Sequence, residues 1–299
     1  MQNRGQTEEP PESGATAAFR ETKARSGSVV LHVRIAGGSP GAADVLIAVG
    51  GGPGLSSRYM IDLEQLAGPA FTVVTYDPRG TGRSTSPPPE KSSYGLPEHV
   101  RDLDAVREEA GGGHVHVLGH SWGGLVAMMY AATHPDKVNS IVLVNSVPPT
   151  WLALMEGKLR VETRIEKLQK EGVLPEALPN ESAELRRTLL RAYFSNPDFR
   201  FFQKGGEDLE WNSIANRLTN SAVEGYDITA EIGKLSHRVL IVYGDSDPFG
   251  LPMVEAVRNA LVKARAESVR LEKCGHFWQE NPEKFFSALR SFLKIHGTL

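Results

Sequence analysis

Residues 114–132 read "HVHVLGHSWGGLVAMMYAA". The first six alternate around valine, a strand signal, and the last eight are good helix formers and small apolar residues. Between them, at 119–124, lies "GHSWGG". Glycine is costly inside a strand or a helix, because it loses more conformational freedom on folding than any other residue. Gly119, Gly123 and Gly124 at one junction therefore indicate a backbone squeezed where a strand hands over to a helix. Such a turn lifts Ser121 off the sheet. G-x-S-x-G in the order strand, sharp turn, helix is the arrangement that exposes a serine hydroxyl beside the free amides of a helix start.

Working outward, β-rich runs recur at 28–35 ("SVVLHVRI"), 44–50, 71–77, 114–119, 140–146, 238–244 and 268–274. The central runs are nearly continuous Val, Ile and Leu, as in strands buried on both faces. Helical patterns such as "LPEHVRDLDAVREEA" and "PMVEAVRNALVKARA" lie between them. This alternation predicts an α/β fold with a mainly parallel sheet and helices on both faces. It breaks between 148 and 230, where helical patterns run without a strand and Leu152, Met155, Leu159, Ile165 and Leu168 fall at helical spacing. A strand pattern resumes at Arg238. The expected organisation is a core domain over 23–147 and 231–299, interrupted by an inserted helical cap over 148–230. Residues 1–22 begin acidic and rich in Pro, Gly and Ser, and read as a disordered leader.

Composition narrows the function classes. Among 299 residues the net charge is −3, which leaves no basic footprint for nucleic acid or an anionic membrane surface. No window approaches the roughly 18 apolar residues of a spanning helix, and the start lacks the basic and apolar regions of a secretory signal. Cys274 is the lone cysteine, which excludes a disulfide framework and a multi-cysteine metal site. The expectation is a cytoplasmic protein acting on a small molecule or short peptide. The oligomeric state is not encoded in any pattern of the chain.

Ligands of open parallel sheets gather at the carboxyl ends of the strands. Four unusual stretches fall there: "GGGPG" (50–54), "GHSWGG" (119–124), "GDSDP" (244–248) and "CGHFW" (274–278). A serine hydroxyl is a weak nucleophile until a base takes its proton. His276 is the candidate base and Asp247 the carboxylate that orients it, with Asp245 as the alternative acid, set closer to the strand end. Ser, Asp, His is the chain order of the α/β-hydrolase layout. Acyl transfer also needs amide donors for the oxyanion. Trp122 supplies one N–H and Gly52 the second, with Gly51 as the alternative. As a phosphate loop, "GGGPG" lacks the following G-K-[ST]. His114 and His116 share one strand face and could hold a metal, but no carboxylate or thiol is near them in sequence. His120 sits inside the turn and is expected to pack. No metal or other cofactor is expected for this chemistry.

These motifs together resemble α/β-hydrolases of the prolyl iminopeptidase type, including the tricorn-interacting aminopeptidases. "GGGPG" is similar to that family's H-G-G-P-G, "DPRGTGRS" (77–84) to its D-Q-R-G-x-G-R-S, and "GHSWGG" to its elbow. The likeness spans about 25 to 295 and is weakest in the cap. It implies an α/β-hydrolase fold with an inserted helical cap, and a serine hydrolase releasing an N-terminal residue, proline preferred. By themselves, Asp77, Arg79 and Arg83 read as an ion-paired turn. Two departures stand out. Gly50 replaces the family's histidine, and Pro248 stands where the family often has a second amine-binding glutamate. In the cap, "LEWNSI" (209–214) resembles the family's Glu–aromatic segment and makes Glu210 the substrate-binding candidate, with Glu207 and Glu224 behind it. The alternatives are a carboxylesterase, lactonase or amidase without amine recognition, and a non-catalytic binding protein on the same scaffold, against which the intact Ser–Asp–His set argues.

Overall fold

The computed structural model describes residues 18–38, 44–179, 182–199 and 210–295. Strands β1 (Phe19–Ser26), β2 (Val29–Gly37), β3 (Asp44–Val49), β4 (Phe71–Tyr76), β5 (Val115–His120), β6 (Val138–Val144), β7 (Arg238–Gly244) and β8 (Arg265–Leu271) form one sheet. Their order is β1-β2-β4-β3-β5-β6-β7-β8. The β1–β2 and β2–β4 pairs are antiparallel, and every pairing from β4–β3 to β7–β8 is parallel. The helices are α1 (Leu96–Glu109), α2 (Trp122–Thr133), α3 (Trp151–Lys170), α4 (Ser182–Leu190), α5 (Ser213–Ala222), α6 (Thr229–Ile232), α7 (Leu251–Ala260) and α8 (Pro282–Leu293).

The apolar runs are continuous because the central strands are covered twice. On β5, Val117 belongs to the buried layer that includes Leu103 of α1, Val126 of α2 and Val257 of α7. The next residue, Leu118, faces the opposite layer, with Met60 and Leu63 from the 3₁₀ turn Ser57–Leu66 and Phe285 and Leu289 from α8. Successive side chains of a strand alternate between faces, so both must be apolar here. β8 is the contrasting case: it is an edge strand, largely exposed and charged, which discourages pairing with another chain.

Helices α3 to α6 all lie between β6 and β7, and among the described residues this segment contributes no strand to the sheet. No described helix is long and apolar enough to cross a membrane.

Four expectations need adjustment. Residues 19–22, assigned to a leader, belong to β1, which pairs with β2 along its whole length. Their polar sequence concealed a strand exposed on most of its residues. Residues 1–17 lie outside the described residues. The last strand begins at Arg265, three residues before the expected 268. The buried stripe of α3 is Leu154, Gly157, Val161 and Leu168, whereas Leu152 and Leu159 are 72% and 63% exposed. Asp77 does not ion-pair with Arg79 or Arg83. Its carboxylate accepts the backbone N–H groups of Ser57 and Arg83, both at 2.9 Å. Arg79 instead forks onto buried Asp102, and Arg83 onto Glu21.

The start of α2 packs on the carboxyl end of β3 with no room for a side chain. A Cβ on Gly123 would overlap the Val49 carbonyl oxygen, and one on Gly119 would overlap the Gly123 carbonyl. Both obstacles are backbone and cannot swing away. Gly123→Ala is therefore expected to lower stability by at least about 3 kcal/mol, the upper range for overpacking. Urea unfolding followed by circular dichroism checks this; an unchanged midpoint would show that the approach is looser than described.

Candidate active site

The squeezed turn puts Ser121 between β5 and α2 with φ 54° and ψ −118°. A non-glycine residue rarely adopts positive φ, and such strain persists only where surrounding structure over-determines it. Here the Ser121 N–H donates to Val144 O at 2.9 Å, while the Ser121 carbonyl accepts from Gly124 N at 2.9 Å and Val147 N at 3.1 Å. Trp122 opens α2, so its N–H is among the helix-start amides without an intrahelical acceptor.

The base loop follows β8. His276 is buried and its Nδ1 lies 2.8 Å from Oδ2 of Asp247, on the loop after β7. The carboxylate fixes the imidazole with its proton on Nδ1, which leaves Nε2 as the basic nitrogen. The other oxygen of Asp247 accepts the N–H of Phe249 at 3.0 Å. Asp245 is turned elsewhere. It is exposed, bonded to Ser246 Oγ and 3.7 Å from Arg270. Rings of Phe249, Tyr193 and Phe277 stand 5.0, 5.6 and 5.6 Å from the His276 ring. They give the Asp247–His276 pair an apolar surround, where electrostatic interactions are stronger than in water.

The glycine loop 50–54 lies beside the serine. A Cβ on Gly51 would be 3.1 Å from the Ser121 Cβ. The Gly51 N–H is already taken, donating to the Tyr59 hydroxyl at 2.6 Å. Gly51, the alternative oxyanion donor, is thus occupied.

Glu210 is exposed. Its main chain meets this loop, the carbonyl accepting the Ser56 N–H at 3.0 Å, while Asn212 N donates to Gly54 O at 2.9 Å. Its carboxylate helps to hold the Arg83 guanidinium in its charged form, behind the larger effect of Glu21. Glu207 lies outside the described residues, and Glu224 is exposed beyond α5. Pro248, next to Asp247, is buried. His114 is exposed and precedes β5, and His116 bonds to the Ser140 hydroxyl at 2.7 Å. Among the described residues, no three His, Cys, Asp or Glu side chains converge as a metal would need. Burial pushes the Cys274 thiol up, as expected of an unreactive core thiol.

Two contributors carried no sequence motif. Asn145, directly after β6 at φ 42°, donates to His276 O at 2.8 Å and accepts from Gly244 N at 2.9 Å. It ties the acid loop to the base loop, and its place at a strand's carboxyl end was the available clue. Tyr59 bonds to His120 Nδ1 at 2.7 Å, so His120 does more than pack.

A family model described as alpha/beta hydrolase fold matches residues 44–282. The chain belongs to that family and is a hydrolase. A proline iminopeptidase of Lactobacillus crispatus is 25% identical over 84% of this chain and 90% of its own length. A putative carbamate hydrolase of Caulobacter vibrioides is 29% identical over 88% of this chain and 95% of its own. Among solved structures, an esterase from Exiguobacterium antarcticum superposes with a TM-score of 0.69 at 20% identity, covering 92% of this chain and all of the esterase. At that identity it bears on the fold alone.

Two outcomes are expected. Asp247→Asn should cut kcat by about 10³- to 10⁴-fold by supporting the wrong imidazole tautomer, and Asp245→Asn should cost far less; steady-state kinetics of both variants checks the ranking. Burial holds the imidazoles of His99 and His120 down at about 3, so they stay neutral in the fold. The unfolded chain protonates them below roughly pH 6.5, so stability should fall as pH drops from there, by up to about 2.7 kcal/mol per unit for the two together. Urea midpoints at neutral and mildly acidic pH measure it. Burial also raises the Asp62 carboxyl to about 7, which offsets about half of this fall, so a profile that is flat or rises with acid would show that the histidines take up protons inside the protein.

Proposed function

We propose that this protein is a serine hydrolase that works through an acyl-enzyme on Ser121. The observation that carries the reading is the 2.8 Å contact of His276 Nδ1 with Asp247, taken together with a serine held at positive φ on a strand–helix turn. In the proposed reaction, the Ser121 hydroxyl attacks the substrate carbonyl and His276 Nε2 accepts its proton. The oxyanion of the tetrahedral intermediate turns toward the Gly52 and Trp122 N–H groups. Its collapse expels the leaving group, which takes the proton from His276. Water, deprotonated by the same nitrogen, then releases the acyl group and restores the serine. Asp247 stabilises the imidazolium at both stages.

For the substrate, the reading is an aminopeptidase of the prolyl iminopeptidase type, which releases an N-terminal residue. It rests on the "GGGPG", "DPRGTGRS" and "GHSWGG" motifs and on the names of the full-length relatives. Helices α3 to α6 act as a cap over the strand ends. Glu210, at the edge of the glycine loop, pairs with the substrate ammonium, because an unpaired charge in a partly dry pocket is expensive. A specific observation favours a second reading, a hydrolase of small uncharged esters or amides. Pro248 removes one carboxylate, and Glu210 is exposed beside Arg83 rather than aimed into an enclosed pocket.

Ser121→Ala and His276→Ala should each lower kcat by roughly four or more orders of magnitude, and the double variant little further, because these groups act as a unit. Near-normal turnover in either would refute the mechanism. Turnover of Pro-arylamide, its N-acetyl form and short p-nitrophenyl esters, compared side by side, decides the substrate. The aminopeptidase reading expects N-acetylation to abolish turnover. It also expects Glu210→Gln to cost free-amine substrates about 1.5–3 kcal/mol in kcat/KM, the range for a hydrogen bond to a charge. Efficient cleavage of N-blocked substrates with an indifferent Glu210→Gln establishes the second reading instead.

A further inference from the structure

Three strand-end loops meet in a buried line of hydrogen bonds that the proposed reaction does not use. The Gly51 N–H donates to the Tyr59 oxygen at 2.6 Å, the Tyr59 hydroxyl lies 2.7 Å from His120 Nδ1, and His120 Nε2 lies 2.9 Å from the His276 carbonyl. Both ends of the line have a forced direction. A backbone N–H can only donate, and a carbonyl can only accept. Between them stand one hydroxyl and one imidazole. Since His120 Nε2 must donate to the carbonyl, a neutral ring has a bare Nδ1, which accepts the Tyr59 proton. The Tyr59 oxygen is then free to accept from Gly51. Every proton in the line is thereby assigned. A charged His120 would break it, because Nδ1 would become a second donor to the Tyr59 oxygen and leave the phenol proton without an acceptor.

The line sits where small displacements matter. His120 precedes Ser121, and a Cβ on Gly51 would lie 3.0 Å from His120 Nδ1 and 3.1 Å from Ser121 Cβ. Tyr59 and His120 are both buried. The Tyr59 ring is braced against Phe277 and Trp278, at centroid distances of 5.9 and 6.0 Å. Tyr59 also occupies the space beside position 50, where a Cβ would lie 3.6 Å from its hydroxyl oxygen. The loop that carries Gly52 therefore takes its support from a side chain eight residues beyond Gly51.

We propose that Tyr59 and His120 are positioning residues for the reaction, one polarised hydrogen-bond line holding the Gly52 amide and the His276 loop at a fixed separation across Ser121. By occupying the Gly51 N–H, Tyr59 fixes the Gly50–Gly51 peptide plane, which immediately precedes the plane from which the Gly52 N–H projects. By holding the His276 carbonyl, His120 sets the height of the base. This inference rests on the serine mechanism proposed above. Its effect falls on the tetrahedral intermediate, because an amide tilted away from the oxyanion loses most of its value there and little in substrate binding.

The test uses the full chain with Tyr59→Phe, which keeps the ring and deletes the hydroxyl. Active sites are counted with a fluorophosphonate, and p-nitrophenyl acetate and the fastest substrate of the panel are assayed. The expected result is a fall in kcat per labelled site of about 10- to 100-fold, less than the loss on deleting an oxyanion donor outright. KM should stay within about twofold, the pattern of an interaction made only in the transition state. Affinity for a boronic acid that forms a tetrahedral adduct with the serine should weaken by the same factor as kcat. A structural role alone would lower the melting temperature or the fraction of labelled sites and leave kcat per site unchanged, and that result overturns the proposal. A second measurement needs no variant. Nitrogen NMR of the native protein should show His120 protonated at Nε2, bare at Nδ1 and constant from roughly pH 5 to 9, far above the range where a buried neutral imidazole gains a proton. The opposite tautomer, or a titration in that range, also overturns it. If Ser121→Ala retains full activity, the serine mechanism fails first. If Ser121 proves essential while Tyr59→Phe keeps kcat per site, only this inference fails.

Discussion

The first turn of α2 rests on the carboxyl end of β3 at a distance that only glycine allows, and the geometry of the site follows from that contact. With no Cβ at Gly123, the helix start comes down onto Val49. The chain leaving β5 must then reverse within one residue, and that residue is Ser121 at φ 54°. Such a conformation costs on the order of 1–3 kcal/mol. Three backbone hydrogen bonds, to Val144, Gly124 and Val147, hold it in place. The same descent brings the opening amides of α2 beside the glycine loop after β3, so the serine and the candidate oxyanion donors are placed by one packing event.

The remaining loops are fixed to one another by buried polar groups, each of which must find partners or cost stability. Asn145 joins the loop after β7 to the loop after β8 through Gly244 and His276. Glu280 accepts the N–H groups of Gly275, Ser195 and Asn196, at 2.6, 2.9 and 3.0 Å, and so joins the base loop to the helical insertion. Asp77 binds the turn after β4 to the 3₁₀ segment that carries Tyr59. These are capping and bridging roles rather than chemistry, yet they set the distances on which chemistry at this edge depends.

The helical insertion touches the core through main-chain carbonyls as well as through apolar contact. Asn216 of α5 donates to Pro53 O at 2.6 Å, and Arg160 of α3 to Phe249 O at 2.6 Å. Arg164 holds the carbonyls of Ala192 and Phe194, each at 2.7 Å, beside the Tyr193 ring that faces His276. Side-chain-to-carbonyl bonds are directional, so the insertion is located with respect to the glycine loop and the acid loop. It delivers the Tyr193 ring, one of the three that surround His276.

Much of this was legible in one dimension. Short runs rich in Val, Ile and Leu suit strands covered on both sides, which is why β3, β5, β6 and β7 could be read directly. The glycines around Ser121, and the polar residues following β7 and β8, mark the carboxyl edge, because function at such an edge needs close backbone approach and groups beyond the strand. β1 could not be read this way. Its exposed polar side chains are held by a ladder to β2, and a ladder has no local signature. The covered face of α3 could not be read at Leu152 and Leu159 for a related reason: both are apolar yet exposed, and the elements packed against the helix decide which side is covered. Asp247 and Gly52 were the candidates the sequence already put ahead of Asp245 and Gly51, whereas the hydrogen bonds made by Tyr59, His120 and Asn145 lay beyond it. Residue types and spacing determined the central strands and which polar groups follow them. Tertiary structure alone decided which of those groups meet, because a hydrogen bond depends on separations of a few tenths of an ångström between atoms that can lie more than a hundred residues apart along the chain.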